Sequence, residues 1–195
     1  MLAAPSSSRS GSKAAFKKEK PIQRRAGLKR VGIATFLNVC LLLCLSPAAS
    51  AATLYVDVNN LVPQSPYTSW AAAATTIQDA VDAAVAGDEI VVTNGTYATG
   101  GRAVYGTMFN RVAVTKPVTV RSANGPTVTS IVGSSSWVRC VYLTNAGLLS
   151  GFTLTNGATQ YDGDWYTNQS GGGVWCESSS AVVSNCVLTG NWARY

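Results

Sequence analysis

From Asp88 onward, apolar and polar residues alternate in short runs, and several of these runs close on an Asn-Gly pair. Ile90-Val91-Val92-Thr93 leads to Asn94-Gly95, Val118-Thr119-Val120-Arg121 to Asn124-Gly125, and Phe152-Thr153-Leu154-Thr155 to Asn156-Gly157. Cys186-Val187-Leu188-Thr189 leads to the inverted pair Gly190-Asn191. Asparagines 94, 124 and 156 are 30 and 32 residues apart, and Asn191 lies 35 beyond the last. Period-two alternation predicts strands. Asn-Gly supplies the left-handed backbone of a sharp turn. One such unit every ~20–45 residues predicts a stacked, quasi-one-dimensional array. Further strand patterns at Thr127–Val132, Val138–Leu143 and Val174–Cys176 fall inside the units. Strands that pair with their equivalents in the next unit, rather than with a hairpin partner, form parallel ladders with stacked inward residues.

The segment before Asp88 reads differently. Leu54, Val56 and Val58 alternate within 52–58 and predict a short strand, and residues 59–69, with Pro63 and Pro66, a loop. Thr75-Thr76 then offers an N-cap. Ile77, Ala80, Val81, Ala84 and Val85 recur at helical spacing, and Gly87 is the expected C-terminal cap. This is the one helix expected after residue 51. Its apolar face would cover the first coil, as the ends of a solenoid require. The predicted fold is thus all-β, a parallel β-helix (solenoid) with one short N-terminal capping α-helix. Residues 1–51 form a leader, 52–87 the strand and cap, and 88–195 the coils. The run ends just after a strand and turn, so further coils or an anchor beyond Tyr195 are expected.

Charge separates the leader from the rest. Residues 1–51 carry nine Lys/Arg and one acid, Glu19, whereas the remainder carries six basic and eight acidic residues, together giving the net +6. The basic character therefore belongs to the leader, and no nucleic-acid partner is expected. After Arg30, Val31–Leu45 is an apolar run of 15 residues interrupted by Asn38, and Ala49-Ser50-Ala51 offers small residues before a cut. This pattern predicts a signal peptide cleaved between Ala51 and Ala52, because the run is shorter than the ~20 residues of a spanning helix. An uncleaved anchor that tethers the protein in the periplasm is the alternative. Arg24-Arg25 is similar to a twin-arginine export motif, with Gly27 where a bulky apolar residue is usual. The expected location is secreted, or at the cell surface or outer membrane of a bacterium.

Cleavage would leave Cys140, Cys176 and Cys186. An oxidising compartment permits a Cys176–Cys186 bridge, while the strand pattern around each favours a small buried hydrophobe. Both readings stay open. The chain has no His, which argues against a zinc site.

Thr76–Val81, followed by Gly87-Asp88-Glu89-Ile90-Val91-Val92 and Gly95-Thr96-Tyr97, resembles the N-terminal capping segment of the pectin-lyase-like superfamily of right-handed parallel β-helices. Ser150–Gly157, Gly171-Gly172-Gly173-Val174-Trp175 and Ser184–Leu188 resemble repeats of large secreted bacterial β-helix proteins. The resemblance covers about residues 53–193, implies a right-handed winding of the β-helix, and is specific for fold, not for activity. It implies two functions. One is an exported scaffold or glycan-contacting module without its own catalysis; the other is a fragment of a pectate-lyase-like polysaccharide-degrading enzyme. The enzymes implied by the resemblance hold calcium with clustered acids and use an Arg or Lys as base.

Here the acids beyond Glu89 are Asp162, Asp164 and Glu177. Asp162-Gly163-Asp164 could offer calcium oxygens but reads more simply as a solvated turn. Arg102, Arg111, Arg121 and Arg139 are irregularly spaced, and Arg121 and Arg139 are expected to point outward. No catalytic residue or cofactor is assigned. Asp162, Asp164 and Trp165 mark the candidate glycan or calcium loop, and Tyr161, Trp165 and Tyr166 a candidate stacking platform for sugar rings. Expected partners are polysaccharide or cell-surface components and, through an open coil end, a second copy of the chain.

Overall fold

A computed structural model describes residues 50–195. The leader, its apolar run and its arginine pair lie outside the described residues. Among those described, no helix is long and apolar enough to cross a membrane.

The chain winds past three parallel sheets, returning to each once per coil. The first sheet holds β1 (Thr53–Val56), β2 (Glu89–Val92), β6 (Thr119–Ser122), β9 (Leu148–Ser150) and β12 (Val182–Ser184), paired in that order. The second holds β3 (Gly95–Tyr97), β7 (Thr129–Val132), β10 (Thr153–Thr155) and β13 (Val187–Thr189). The third holds β4 (Arg102–Ala103), β5 (Phe109–Val114), β8 (Val138–Leu143) and β11 (Val174–Cys176). Ladders between coils are parallel, and the antiparallel pairing of β4 with β5 is a local addition. The protein is a parallel β-solenoid, as the alternation and the long period predict.

Register explains the core. Leu54, Ile90, Val120, Leu149 and Val183 stack through the first sheet, and Tyr97, Ile131, Leu154 and Leu188 through the second. Each buried aliphatic side chain in such a column contributes roughly 1.5–3 kcal/mol. Outward residues meet across coils too: Arg121, in register with Val91 one coil earlier, reaches diagonally to Glu89 and pairs with it at 2.7 Å.

The Asn-Gly repeat spans two corners, not one. Asn94 and Asn124 follow β2 and β6, and Asn124 Nδ2 donates to Asn94 Oδ1 at 2.7 Å, a stacked pair. Asn156 and Asn191 follow strands of the second sheet instead. The physical reason is that both corners need the same left-handed turn chemistry, so the same residues recur at each.

The cap forms as its sequence suggests, with a shorter end. In α1 (Ile77–Ala83), Thr76 accepts the Asp79 N–H at 3.1 Å, while the helix ends on Ala84 instead of Gly87. Gly87, at φ +95°, makes the following turn. Ile77, Ala80, Val81 and Ala84 join the core. Buried Gln78 acts as a short strand: its Oε1 accepts the Ala113 N–H at 2.7 Å and its Nε2 faces the Ala113 carbonyl at 3.4 Å. Lys116 Nζ donates to the Asp82 carbonyl at 3.0 Å and to that of Ala84. The outer edge of β1 is paired by the returning loop, through Tyr55 N–H to Tyr67 O and Ala74 N–H to Tyr55 O. The capping role is therefore shared by helix and loop.

Candidate functional site

After β10 the chain leaves the wall of the coils in an excursion over residues 159–171, the longest break between consecutive strands from β2 onward among the described residues. The chain leaves at Ala158, whose N–H donates to Val138 O, and rejoins where Cys140 N–H donates to Gly172 O. The neck is closed by glycine on both sides. A β-carbon on Gly157 would collide with the Gly172 carbonyl and with Cys140 Sγ. Adjacent ends and a self-packed interior make this an Ω-loop, a form often given over to function.

Short polar side chains fold the loop on itself. Asp164 Oδ1 accepts from Tyr166 N–H (3.0 Å), Thr167 N–H (2.7 Å) and Thr167 Oγ1 (3.0 Å), and these Thr167 bonds hold its carboxyl below the ordinary range. Asn168 Nδ2 donates to Gln160 Oε1 at 2.8 Å, and Gln169 Nε2 to Gly163 O at 2.8 Å. Asp164 thus builds its own turn.

Arg139 holds the neck from below, contrary to the expectation that it points outward. It is 2% exposed. Its guanidinium donates to Gly171 O (3.0 Å), Thr167 O (2.7 Å), Ser170 O (2.7 Å) and Asn110 Oδ1 (2.9 Å). Strict alternation is broken beside it, since Cys140 and Val141 both join the core, and the loop covers Arg139. Burial without an acidic partner pulls its pKa down to about 10, so it remains a cation at neutral pH. It lies under Trp175, which in turn packs edge-on with Tyr166, ring centres 4.5 Å apart.

The opposite flank of the loop is open. Trp137, Tyr161 and Trp192 are 47%, 52% and 42% exposed, although Tyr161 lies between the other two, at 6.4 Å from Trp137 and 5.0 Å from Trp192. Trp137 sits in a turn closed by the Ser134–Val138 pair, at φ +65°. A bulky residue in the left-handed region costs of order 1–3 kcal/mol, and such strain concentrates at functional sites. Two cavities flank these rings. One, of about 270 Å³, is lined by Thr107, Trp137, Gln160, Asp162 and Asn168, with Tyr161 as a wall. The other, of about 200 Å³, is lined by Ser135, Trp137, Ala158, Tyr161 and Trp192. Thr107 is joined to Gln160 Nε2 at 3.0 Å. Its segment is latched to the wall by Glu177, whose carboxylate accepts from Tyr105 at 2.7 Å and also from Tyr142. Burial and that carboxylate push the Tyr142 phenol well above its ordinary range.

Of the residues named from sequence, Asp162 and Tyr161 line the groove. Asp164 faces its own loop, and Trp165 packs on Tyr166 away from both cavities. Trp137, Trp192, Thr107 and Gln160 are groove residues that sequence reasoning passed over. The sequence signal for one was present: Trp137 is an aromatic residue directly after Ser134-Ser135-Ser136, between strands. Among the described residues, no three acidic, Cys or His side chains converge as a metal site. Among the described residues the three cysteines are unbridged: Cys140 is buried, with burial raising its thiol pKa to about 11, and Cys186 is half-buried. Cys176 is exposed, not buried as its strand pattern suggests, because the last coil has no further coil over it among the described residues. Comparison with protein-family models, curated proteins and solved structures gave no match.

Proposed function

We propose that this chain is an exported β-helix module that contacts glycan through the Trp137–Tyr161–Trp192 groove, as a scaffold without catalysis of its own. The observation that carries this reading is the exposure of three neighbouring aromatic rings beside two cavities, the larger of them rimmed by Thr107, Gln160, Asp162 and Asn168. Aromatic faces with a few convergent polar groups suit the apolar faces and hydroxyls of sugars. The likeness of the cap and repeats to the pectin-lyase-like superfamily fits a secreted or cell-surface setting.

Export is supported by the leader. Ala52 N–H donates to Asp88 Oδ1 at 2.8 Å and its carbonyl accepts from Glu89, so a chain starting at Ala52 keeps these bonds beside the first strand. Among the described residues the outer edges of β11, β12 and β13 have no partner strand, which supports self-association through that end.

The test is affinity electrophoresis of the full chain through gels containing a panel of soluble polysaccharides. Retardation by at least one is expected. Absence of retardation, joined to release of unsaturated uronate from pectate with calcium, would replace this reading by the lyase one. N-terminal sequencing of the exported product should begin at Ala52, whereas an intact leader would favour the tethered alternative.

A further inference from the structure

Three acidic residues lie beyond Glu89, and two have evident structural partners. Asp164 caps its own turn, and Glu177 receives two phenols. Asp162 accepts no hydrogen bond from any described residue, yet it lines the larger of the two cavities together with Trp137. Gln160 and Asn168 stand beside it, tied to each other and to Thr107 by 2.8 and 3.0 Å bonds that preset their positions. Neither cavity is lined by Lys or Arg. Arg194 stacks on Tyr161 and Tyr195 and lines neither.

We infer that the groove selects neutral hexose glycans over uronates, and that Asp162 is the residue that sets this preference. The inference deepens the glycan reading and rests on it. A free carboxylate is an acceptor with two oxygens, matched to a pair of neighbouring sugar hydroxyls, and charge-assisted bonds of this kind are the stronger ones. The same carboxylate meets the acid group of a uronate as a like charge, with no lining cation to offset it. The rings define how many sugars are held. Trp137 and Tyr161 wall both cavities, so consecutive residues of one glycan occupy the two spaces, one to each side of the aromatic partition.

The experiment is calorimetric titration of the full chain and of Asp162→Asn. The probes are cellotetraose, mannotetraose and linear β-1,4-galactotetraose as neutral chains, and tetragalacturonate as the acidic one. At least one neutral chain should bind about tenfold or more tighter than tetragalacturonate. Asp162→Asn should weaken that neutral chain several-fold and shrink the preference, and raised salt should shrink it in the unmodified chain. If tetragalacturonate binds as tightly as every neutral chain, this inference falls and the glycan reading stands. If the preference survives Asp162→Asn unchanged, the role given to Asp162 is wrong. If none of the four binds, the glycan reading falls as well.

Discussion

Two aromatic clusters flank the same loop and are built to opposite ends. On one side Tyr166 packs edge-on against Trp175, and the buried Arg139 guanidinium lies against that indole while holding three carbonyls of the loop. On the other side Tyr161 lies between Trp137 and Trp192, and all three are about half exposed, beside open space. The first cluster gives the loop its shape. The second uses that shape, and Trp137 holds a strained backbone to do so. Substitutions should therefore separate cleanly: the packed side governs stability, and the open side governs binding.

The largest effect should come at the neck. Gly157→Val places side-chain atoms into the Gly172 carbonyl and Cys140, where both neighbours are wall and cannot retreat. It should cost about 4 kcal/mol or more and leave little folded protein by circular dichroism. Arg139→Met comes next. It keeps much of the volume but strands three carbonyls and an amide oxygen, for a loss of about 3 kcal/mol in urea unfolding. Arg139→Lys should recover only part of this, since an ammonium cannot reach four acceptors in the plane of a guanidinium.

Alkali should weaken the wall before it touches the groove. Burial pushes Tyr97 up to about 12 from an ordinary 10, so the folded chain keeps a proton that the unfolded chain sheds. Its contribution is fully present below pH 10 and is lost as pH rises through about 12, on the order of 2 kcal/mol across that window. Tyr97→Phe should flatten the stability profile there. The smallest stability effect should be at Glu89, whose carboxyl is held low by Arg121. Its stability is present above the ordinary carboxyl value near 4.5 and fades as pH falls through the lowered one. Both side chains are well exposed, so Glu89→Gln should change the acid limb of a melting curve by about 0.2–1 kcal/mol at most.

The parts of the molecule that were legible in the sequence are those governed by local pattern. Alternation in Ile90–Val92 and Val118–Arg121 gave the strands, and Thr76 before Ile77 gave the helix start. The corner to which each Asn-Gly belongs was not legible, because a turn's chemistry is the same wherever the coil bends. Arg139 misled because β8 does not alternate strictly, with Cys140 and Val141 both in the core, and because chain from the next coil covers it. The groove was legible only at Tyr161 and Asp162. Trp137 and Trp192 are far apart in sequence and meet because the coil period brings successive second-to-third-sheet corners into register, which no local window reveals.

Trp137→Gly is the variant that tests the division most directly, measured by thermal melting and by affinity electrophoresis on whichever polysaccharide retards the parent chain. Glycine adopts φ +65° without strain, and the lost ring was half in solvent. The account predicts a melting temperature equal to or above that of the parent, with retardation abolished. A lower melting temperature with retardation retained would show that Trp137 is packing and that the groove is not the binding surface.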